Sequence, residues 1–267
     1  MKKEVSALQL DWSAVSHVGR VRRNNEDSWG GFAPAQGAVP LAPGTLAPGA
    51  GGLLLLVSDG MGGAQGGEEA SRFCIERGAQ EIATRHDARD LGAALREAML
   101  ATHTALLARA RSRSGWHGMG ATLSALWLQA NGTGMVGHIG DSRVYQRHGG
   151  KLRQLTEDHN LGAGMVRRGE MTEEGVARFK YRSMLEQVMG GDGRVIEPQL
   201  IPVKLAGGDT FALCSDGLFG PLRERTDKLL DEALQQAALP GAAQSLVDAA
   251  NAAGGQDNIT VLLARLQ

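Results

Sequence analysis

One stretch limits what this chain can fold into. In it, an apolar run of strand length leads into an acid and a glycine-rich turn. Residues 53–63 read LLLLVSDGMGG. The apolar run is far shorter than the roughly 18 residues that a membrane span needs, so it predicts a buried strand ending at Asp59. The glycines that follow permit a tight turn with exposed carbonyls, which suits a hard cation. They are Gly60, Gly62 and Gly63. Alone, this pattern is also that of an ordinary turn.

The same pattern of an acid at a strand end returns three times. Asp216 follows TFALCS, Asp141 follows MVGHIG, and Asp257 lies just before a strand candidate at 259–263. Carboxylates at several strand ends can converge at one edge of packed sheets, where their repulsion is costly unless a divalent cation neutralises it. Oxygen ligands favour magnesium or manganese over zinc, and no His/Cys cluster with zinc spacing competes. The sequence therefore predicts a magnesium or manganese centre.

Composition is that of a globular protein with no strong charge bias. The 267 residues are 42% hydrophobic and 21% charged, with a formal net charge of −1. Neither a nucleic acid nor a membrane is therefore expected as a partner. Cys74 and Cys214 are the only cysteines, and their apolar neighbours indicate buried free thiols in a reducing compartment. We expect a cytoplasmic monomer with one domain over residues 1–267.

Periodicity divides the chain into strand and helix candidates. The predicted strands are 12–15, 53–57, 122–128, 133–139, 143–147, 151–155, 210–214 and 259–263. The predicted helices are 68–85, a second that begins after Asp87 or Asp90, and a region over 227–253 that Pro240-Gly241 divides. Residues 32–52 are rich in Ala, Pro and Gly and predict a surface excursion, and 160–194 predict a flap. This order of elements indicates an α+β fold of sheets covered by helices.

Six short motifs occur in one order across most of the chain. They are RRNNED at 22–27, SDGMGG at 58–63, GDSR at 140–143, LTEDH at 155–159, CSDGL at 214–218 and GQDNITV at 255–261. In order and spacing this series resembles the bacterial branch of the metal-dependent protein phosphatase 2C family. The resemblance implies a sandwich of two antiparallel β-sheets flanked by antiparallel α-helices. It also implies hydrolysis of phosphoserine and phosphothreonine in proteins by water activated between two Mn²⁺ or Mg²⁺ ions, reversing a bacterial serine/threonine kinase.

The resemblance also implies metal-binding roles for particular residues. Asp59 matches the acid that bridges two metals, and Gly60 matches the residue whose carbonyl binds one of them. Asp216 and Asp257 match the remaining direct ligands. Asp141, together with Asp216, matches a third and weaker metal site.

Roles beyond the main ligands follow from the motif at 22–27. Glu26 and Asp27 match acids that hold the second ion or its water, and Arg22 matches the arginine that binds the substrate phosphate. Without the other motifs, Arg22 is a surface arginine paired with those acids. Met61 stands where animal members have a histidine proposed as general acid, so that role has no assigned residue. The catalytic residues expected on this basis are Arg22, Asp59 and Asp216.

Several features have a structural reading beside the functional one. The arginines at 109, 111 and 113 end a helix, where cations are favourable without any ligand. His17 and His159 are interpreted as structural rather than as acid/base groups. The flap carries Arg167, Arg168, Lys180 and Arg182, and we hypothesise that it sets substrate choice.

Two other functions compete with the phosphatase. A pseudophosphatase would bind a phosphoprotein without hydrolysing it, but that class normally lacks some metal acids, whereas Asp59, Asp216 and Asp257 are all present. A two-metal enzyme of another kind, such as a nuclease, would need a basic groove that the composition does not suggest. The partners expected are phosphoprotein substrates and a cognate kinase.

Overall fold

Two antiparallel β-sheets face each other, and helices cover the outer face of each. The computed structural model describes residues 9–47, 49, 51–62 and 66–267. The strands are β1 (Leu10–His17), β2 (Asp27–Phe32), β3 (Gly44–Leu46), β4 (Leu53–Met61), β5 (Gly120–Ala121), β6 (Leu123–Leu128), β7 (Thr133–Ile139), β8 (Arg143–His148), β9 (Lys151–Gln154), β10 (Met189–Gly190), β11 (Gln199–Lys204), β12 (Thr210–Cys214) and β13 (Ile259–Leu266). The helices are α1 (Gly66–Ala83), α2 (Leu91–Arg111), α3 (Leu161–Arg167), α4 (Glu173–Ala177), α5 (Asp216–Leu222), α6 (Thr226–Leu234) and α7 (Leu239–Ala252).

The order of strands explains how distant motifs meet. One sheet runs β3-β1-β13-β12-β8-β9, and the other runs β10-β5-β4-β6-β7-β11 with β2 paired to β4. Strand β13, at the end of the chain, therefore lies between β1 and β12. As a result, the segments just outside β1, β12 and β13 share one end of the same sheet.

Strand β4 is apolar without interruption because both of its faces are buried. Leu53, Leu55 and Val57 belong to the core between the two sheets, whereas Leu54 and Leu56 pack in the core beneath α1 and α2. Successive side chains of a strand point to opposite faces, so a strand inside a layered fold needs apolar residues on both. A third core lies between the other sheet and helices α5 to α7.

The predicted sandwich of two antiparallel sheets with flanking helices is confirmed. Strands 133–139 and 210–214 have the predicted bounds. Of the two predicted N-caps of α2, Asp90 is the one used, since its side chain accepts from the backbone N–H of Ala93. Cys74 and Cys214 are free and buried, and burial raises the pKa of each thiol to about 12.

Several boundaries were wrong. Residues 27–32, for which no strand was predicted, form β2, and the excursion contains β3. Pro240 does not divide the last helical region; it lies in the first turn of α7, where its missing N–H has no intrahelical partner to lose, and the break falls before Leu239. Helix α5 and strand β11 were not predicted. None of the helices in the described part of the chain is both long and apolar enough to cross a membrane.

Candidate metal centre

Asp27 and Asp59 lie directly opposite each other on neighbouring strands. Antiparallel pairing of β2 with β4 places the two residues in register at the end of the pair. Thr122 holds the backbone of Asp59 from the other side: the Asp59 N–H donates to Thr122 Oγ1 over 2.9 Å, and the Thr122 N–H donates to the Asp59 carbonyl over 2.8 Å. Two carboxylates are therefore fixed beside each other by backbone geometry.

Asp216 reaches the same end of the fold as the first residue of α5. This helix starts directly after β12, and Ser215 occupies its N-cap position. A Cβ on Gly217 would lie 1.9 Å from the carbonyl oxygen of Asn258, so the absence of a side chain lets the start of α5 press against the loop that carries Asp257. The Ser215-Asp216-Gly217 tripeptide, which repeats the Ser-Asp-Gly of residues 58–60, thus places Asp216 beside the loop before β13.

Burial and mutual repulsion raise the pKa values of these acids. Desolvation, followed by repulsion from Asp27, Asp216, Asp141 and Asp257, raises the pKa of Asp59 well above its ordinary value. Burial raises the pKa of Asp27 to about 7, although hydrogen bonds from Ser215 and Thr260 oppose the shift.

Two further acids respond in the same way. Burial and repulsion from Asp257 raise the pKa of Asp216 to about 6, against a hydrogen bond with Asp59. Burial and repulsion from Asp216 raise the pKa of Asp141 to about 8. Five acids therefore lie in one electrostatic field, and their ionised forms disfavour one another.

The oxygen atoms of this cluster fit a hard divalent cation. Asp27 Oδ1 and Asp216 Oδ1 are buried, and neither has a hydrogen-bond partner among the described residues. Buried polar atoms in folded proteins are normally satisfied, so two unpaired carboxylate oxygens among repelling acids call for positive charge. Oxygen-only donors suit Mg²⁺ or Mn²⁺. Among the described residues, however, no three His, Cys, Asp or Glu side chains form a complete metal-holding group.

Arg22 and Asp257 are paired with each other. The Arg22 guanidinium lies 2.6 Å from Asp257 Oδ2, and half of the Arg22 side chain is exposed. Asp257, Glu26 and Asp59 all raise the pKa of Arg22, against the effect of burial, so the guanidinium lies in the field of the acid cluster. The arginine expected to bind phosphate is thus beside the acids expected to bind metal.

Asn258 was missed as a site residue, although it lies within a quoted motif. Its side-chain amide donates to the carbonyls of Val18 and Asn24 over 2.9 Å each, and its Oδ1 accepts from the Glu26 N–H over 2.8 Å. One buried side chain therefore ties the loop that carries Arg22 and Glu26 to the segment before β13. An Asn directly after the acid was the only sequence signal for this role.

Gly60 lies in a narrow passage between two backbone segments. A Cβ there would lie 2.0 Å from the Gly67 carbonyl oxygen, and the Gly60 N–H donates to the Glu26 carbonyl over 3.1 Å. The Glu26 carboxylate itself lies against Gly67, at the start of α1. Met61 is 42% exposed, and Gly63 lies outside the described residues.

Asp141 lies in the turn between β7 and β8 and contacts the base of the flap. Asn160 Nδ2 donates to Asp141 Oδ2 over 3.4 Å, and the same Asn160 caps α3. His159, just before it, accepts from the Gly140 N–H, and burial lowers its pKa. A neutral, hydrogen-bonded His159 agrees with its structural interpretation.

Arg109 does not form a free basic patch at the end of α2. Its guanidinium pairs with the buried Glu69 of α1 and lies 5.3 Å from the ring centroid of Phe73 and 5.2 Å from that of Trp116. These contacts tie α1, α2 and the following turn together.

A cavity of about 610 Å³ lies beside the acids rather than over them. Strand β2, helix α1 and the excursion line it, and Asp27 is the only predicted site residue in its wall. We therefore assign the chemistry to the acid cluster, because unpaired carboxylate oxygens indicate a cation more specifically than cavity size does.

Comparison with known proteins gives one family. The model of the family described as protein phosphatase 2C matches residues 45–250. The chain is 35% identical over 257 residues to the serine/threonine protein phosphatase PstP of Mycobacterium tuberculosis, covering 96% of this chain but only 45% of PstP. It is 31% identical over 249 residues to the serine/threonine phosphatase stp of Listeria monocytogenes, covering 92% of this chain and 91% of that protein.

Solved structures agree with the sequence relatives. The crystal structure of the M. tuberculosis phosphatase PstP/Ppp superposes with a TM-score of 0.80 at 34% identity, covering 97% of this chain and 99% of that one. A structure of the catalytic domain of PstP in complex with two manganese ions superposes with a TM-score of 0.77 at 32% identity and the same coverage. The similarity therefore extends over the whole sandwich.

Proposed function

This chain belongs to the protein phosphatase 2C family, and from that premise we propose that it hydrolyses phosphoserine and phosphothreonine in proteins. The chain spans less than half of PstP but most of the Listeria phosphatase. The activity we propose is therefore that of the matched region, acting as one phosphatase domain over residues 1–267.

The observation that carries the proposal is the cluster of five aspartates at the strand ends. Burial and mutual repulsion raise the pKa values of Asp27, Asp59, Asp141 and Asp216. Two buried oxygen atoms of the cluster have no hydrogen-bond partner among the residues that the structure describes. Divalent cations would relieve this repulsion and satisfy those atoms. Asp27, Asp59, the Gly60 carbonyl, Asp216 and Asp257 would hold two ions.

Manganese or magnesium is the proposed metal. The manganese ions in the PstP structure and the oxygen-only donors of this chain support the choice. Glu26 would support the second ion, and Asp141 with Asp216 would hold a third. Bound divalent ions supply a water of lowered pKa and stabilise charge on phosphoryl oxygens.

Arg22 would bind and orient the phosphoryl group. Its planar guanidinium can donate two parallel hydrogen bonds to a phosphate, and its position on the rim of the acid cluster would hold that group over the metal ligands. Asn258 would keep Arg22 and Glu26 in place through its contacts with their loop. Met61 has no proton to give, so no side chain at that position serves as the general acid.

The flap would decide which phosphoproteins reach the acids. It joins the centre at Asn160, which contacts Asp141, and its exposed cations include Lys180 and Arg182. The biological setting we propose is reversal of a serine/threonine kinase by a cytoplasmic monomer. The two free cysteines fit a reducing compartment.

The direct test is phosphate release from a phosphothreonine peptide with Mn²⁺, with EDTA and with the Asp216→Asn variant. We expect release only from the unaltered protein with Mn²⁺, because each other condition removes the ion or a ligand. Release that persists in EDTA, or at full rate in Asp216→Asn, would contradict the binuclear mechanism.

The same assay separates the alternatives. A folded protein that binds Mn²⁺ and a phosphopeptide but releases no phosphate would be a pseudophosphatase. Cleavage of DNA or RNA with Mn²⁺ would indicate a nuclease instead.

A further inference from the structure

A closed ring of hydrogen bonds surrounds Asp27. Ser215 Oγ donates to Asp27 Oδ2 over 2.7 Å and accepts from the Thr260 N–H over 3.0 Å. Thr260 Oγ1 lies 2.8 Å from Ser16 Oγ, which accepts from Asn25 Nδ2 over 2.8 Å. Asn25 Oδ1 accepts from the Asp27 N–H over 3.2 Å, which closes the ring. The ring joins β1, β2, β13 and the start of α5 around a single carboxylate.

Only one of the two carboxylate oxygen atoms of Asp27 accepts a hydrogen bond from this ring. Oδ2 accepts from Ser215, whereas Oδ1 is buried and has no hydrogen-bond partner within the part of the chain that the structure describes. A carboxylate held at one oxygen has a fixed plane, so its other oxygen has a fixed direction. The protein thereby leaves Oδ1 as the oxygen available to a ligand.

Ser215 does not perform the usual task of a serine at a helix N-cap. The side chain at that position normally accepts from a backbone N–H in the first helical turn. Ser215 occupies the N-cap position of α5, but its side chain makes no capping hydrogen bond. Its hydroxyl donates to Asp27 and accepts from the strand β13 backbone instead.

The serine of the other Ser-Asp-Gly phrase provides an internal comparison. Ser58 precedes Asp59 as Ser215 precedes Asp216, and both serines are fully buried. Ser58 Oγ donates to the Thr122 carbonyl over 2.5 Å, and therefore to backbone rather than to an acid. The same tripeptide thus has a structural serine in one place and a serine bound to a carboxylate in the other.

We propose that Ser215 is a positioning residue that fixes the Asp27 carboxylate so that Oδ1 serves as a ligand of the divalent metal. This inference rests on the proposed function, because it assumes that Asp27 binds a metal. Thr260 supports Ser215 through its backbone N–H, and its hydroxyl contacts Ser16 in the same ring. The hydroxyls of Ser215 and Thr260 therefore act on metal binding without touching the metal.

The test compares Mn²⁺ dissociation constants measured by isothermal titration calorimetry, which does not depend on catalysis. Ser215→Ala removes the donor to Asp27, and Ser58→Ala is the matched control. Partners that orient metal ligands typically contribute 10- to 100-fold in affinity. We expect Ser215→Ala to weaken Mn²⁺ binding by about 10-fold. Ser58→Ala should retain the affinity of the unaltered protein, even if thermal unfolding shows that both variants lose stability.

A second pair of variants covers the case in which Ser215→Ala does not fold. Thr260→Val keeps the shape of the side chain but loses its hydroxyl, whereas Thr260→Ser keeps the hydroxyl. We expect weaker Mn²⁺ binding in Thr260→Val and recovery of affinity in Thr260→Ser. Both variants are checked for folding by circular dichroism before titration.

The possible outcomes separate this inference from the function on which it rests. If the unaltered protein binds no Mn²⁺, both are overturned. If it binds Mn²⁺ and Ser215→Ala binds equally well, or Ser58→Ala loses as much affinity, only the positioning role is overturned. Selective loss in Ser215→Ala and Thr260→Val establishes it.

Discussion

The guanidinium of Arg22 lies 2.6 Å from the carboxylate of Asp257, across 235 positions of sequence. A residue expected to bind phosphate and one expected to bind metal are therefore ion-paired. Both side chains are partly exposed, so the pair is not locked by burial. A cation bound at Asp257 would compete with Arg22 and release its guanidinium toward a phosphate.

Arg22→Ala should lower kcat/KM for a phosphothreonine peptide by about 10- to 100-fold, because hydrogen bonds to a charged group contribute roughly 1.5–3 kcal/mol. The kcat/KM of Arg22→Lys should lie between those of Arg22→Ala and the unaltered protein, since lysine keeps the charge but loses the bidentate geometry. The same Ala change should tighten Mn²⁺ binding, because Asp257 loses a competing cation. Arg23→Ala, in the same loop, is the control; an equal loss there would show that only general charge matters.

Asp59→Asn should abolish phosphate release and yet stabilise the metal-free protein. Its carboxylate repels the neighbouring acids, so a neutral amide removes that repulsion. Thermal unfolding in EDTA at pH 8 should therefore give a higher Tm for Asp59→Asn than for the unaltered protein. Asp248→Asn, on the exposed face of α7, should change neither quantity. A lower Tm for Asp59→Asn would show that the acids are already compensated without metal.

The stability of the metal-free protein should fall as pH rises. The folded pKa values of Asp216, about 6, and Asp27, about 7, lie above the ordinary value of 3.8. A raised acid pKa means that the folded state binds the proton more tightly, so this contribution is complete below pH 3.8 and is lost as pH rises through 6 and 7. The Tm in EDTA should drop between pH 5.5 and pH 8, as measured by calorimetry.

Asp27→Asn provides the control for that titration, since it lacks one of the groups. Its Tm should fall less over the same range than that of the unaltered protein. Saturating Mn²⁺ should also reduce the fall, because the ion takes the place of the protons. Parallel curves for the two proteins in EDTA would contradict the assignment to Asp27.

Arg143→Ala should destabilise the fold by about 3 kcal/mol, because it leaves a largely buried carboxylate without its cationic partner. Arg143 donates twice to Asp158, whose side chain is only 10% exposed, and it lies 3.7 Å from the Phe219 ring centroid. Denaturant unfolding in EDTA measures this change apart from metal binding. Lys228→Ala breaks an exposed pair on α6 and should cost less than about 1 kcal/mol.

Charge reversal in the flap should change substrate preference more than overall rate. Arg167 and Arg168 are already paired with Glu157 and Glu170, which leaves Lys180 and Arg182 as the better candidates for contact with substrate. The double change to Glu should reduce kcat/KM for phosphopeptides with acidic flanks relative to neutral ones.

A matched double change, Lys151→Glu with Lys228→Glu, adds the same charge away from the flap. It should leave the ratio of the two rates as it is in the unaltered protein. An unchanged ratio in the flap variant would refute a role of its charge in selection.

The local sequence pattern was enough to predict many elements of the sandwich. Two adjacent glycines, at 149 and 150, separate the predicted strands 143–147 and 151–155; they form the tight turn between β8 and β9, and both have positive φ. Asp90 capped α2, and apolar runs gave the strands that end near Asp59 and Asp216. These features depend on neighbours within a few residues, so the sequence alone contains them.

The strands at the edges of the sheet could not be predicted without the tertiary structure. Strand β2 contains Gly30 and Gly31 and has weak strand propensity, and it exists because β4 offers it a full set of backbone partners. Strand β11 contains Pro202, which is tolerated because, in the described part of the chain, β11 pairs only with β7 and lies at the edge of the sheet. Propensity was overridden in both cases by pairing with a distant strand.

The sequence by itself determined which acids were available and that four of them, Asp59, Asp141, Asp216 and Asp257, would lie beside the ends of strands. Only the tertiary structure decided which atoms meet: Asp27 opposite Asp59, Arg22 against Asp257, and Ser215 on Asp27 while Ser58 binds backbone. The two Ser-Asp-Gly phrases are identical locally, so nothing within them separates the two serines. What separates them is the neighbour supplied by sheet order, because hydrogen bonds form between atoms that packing brings within 3 Å, whatever their distance along the chain.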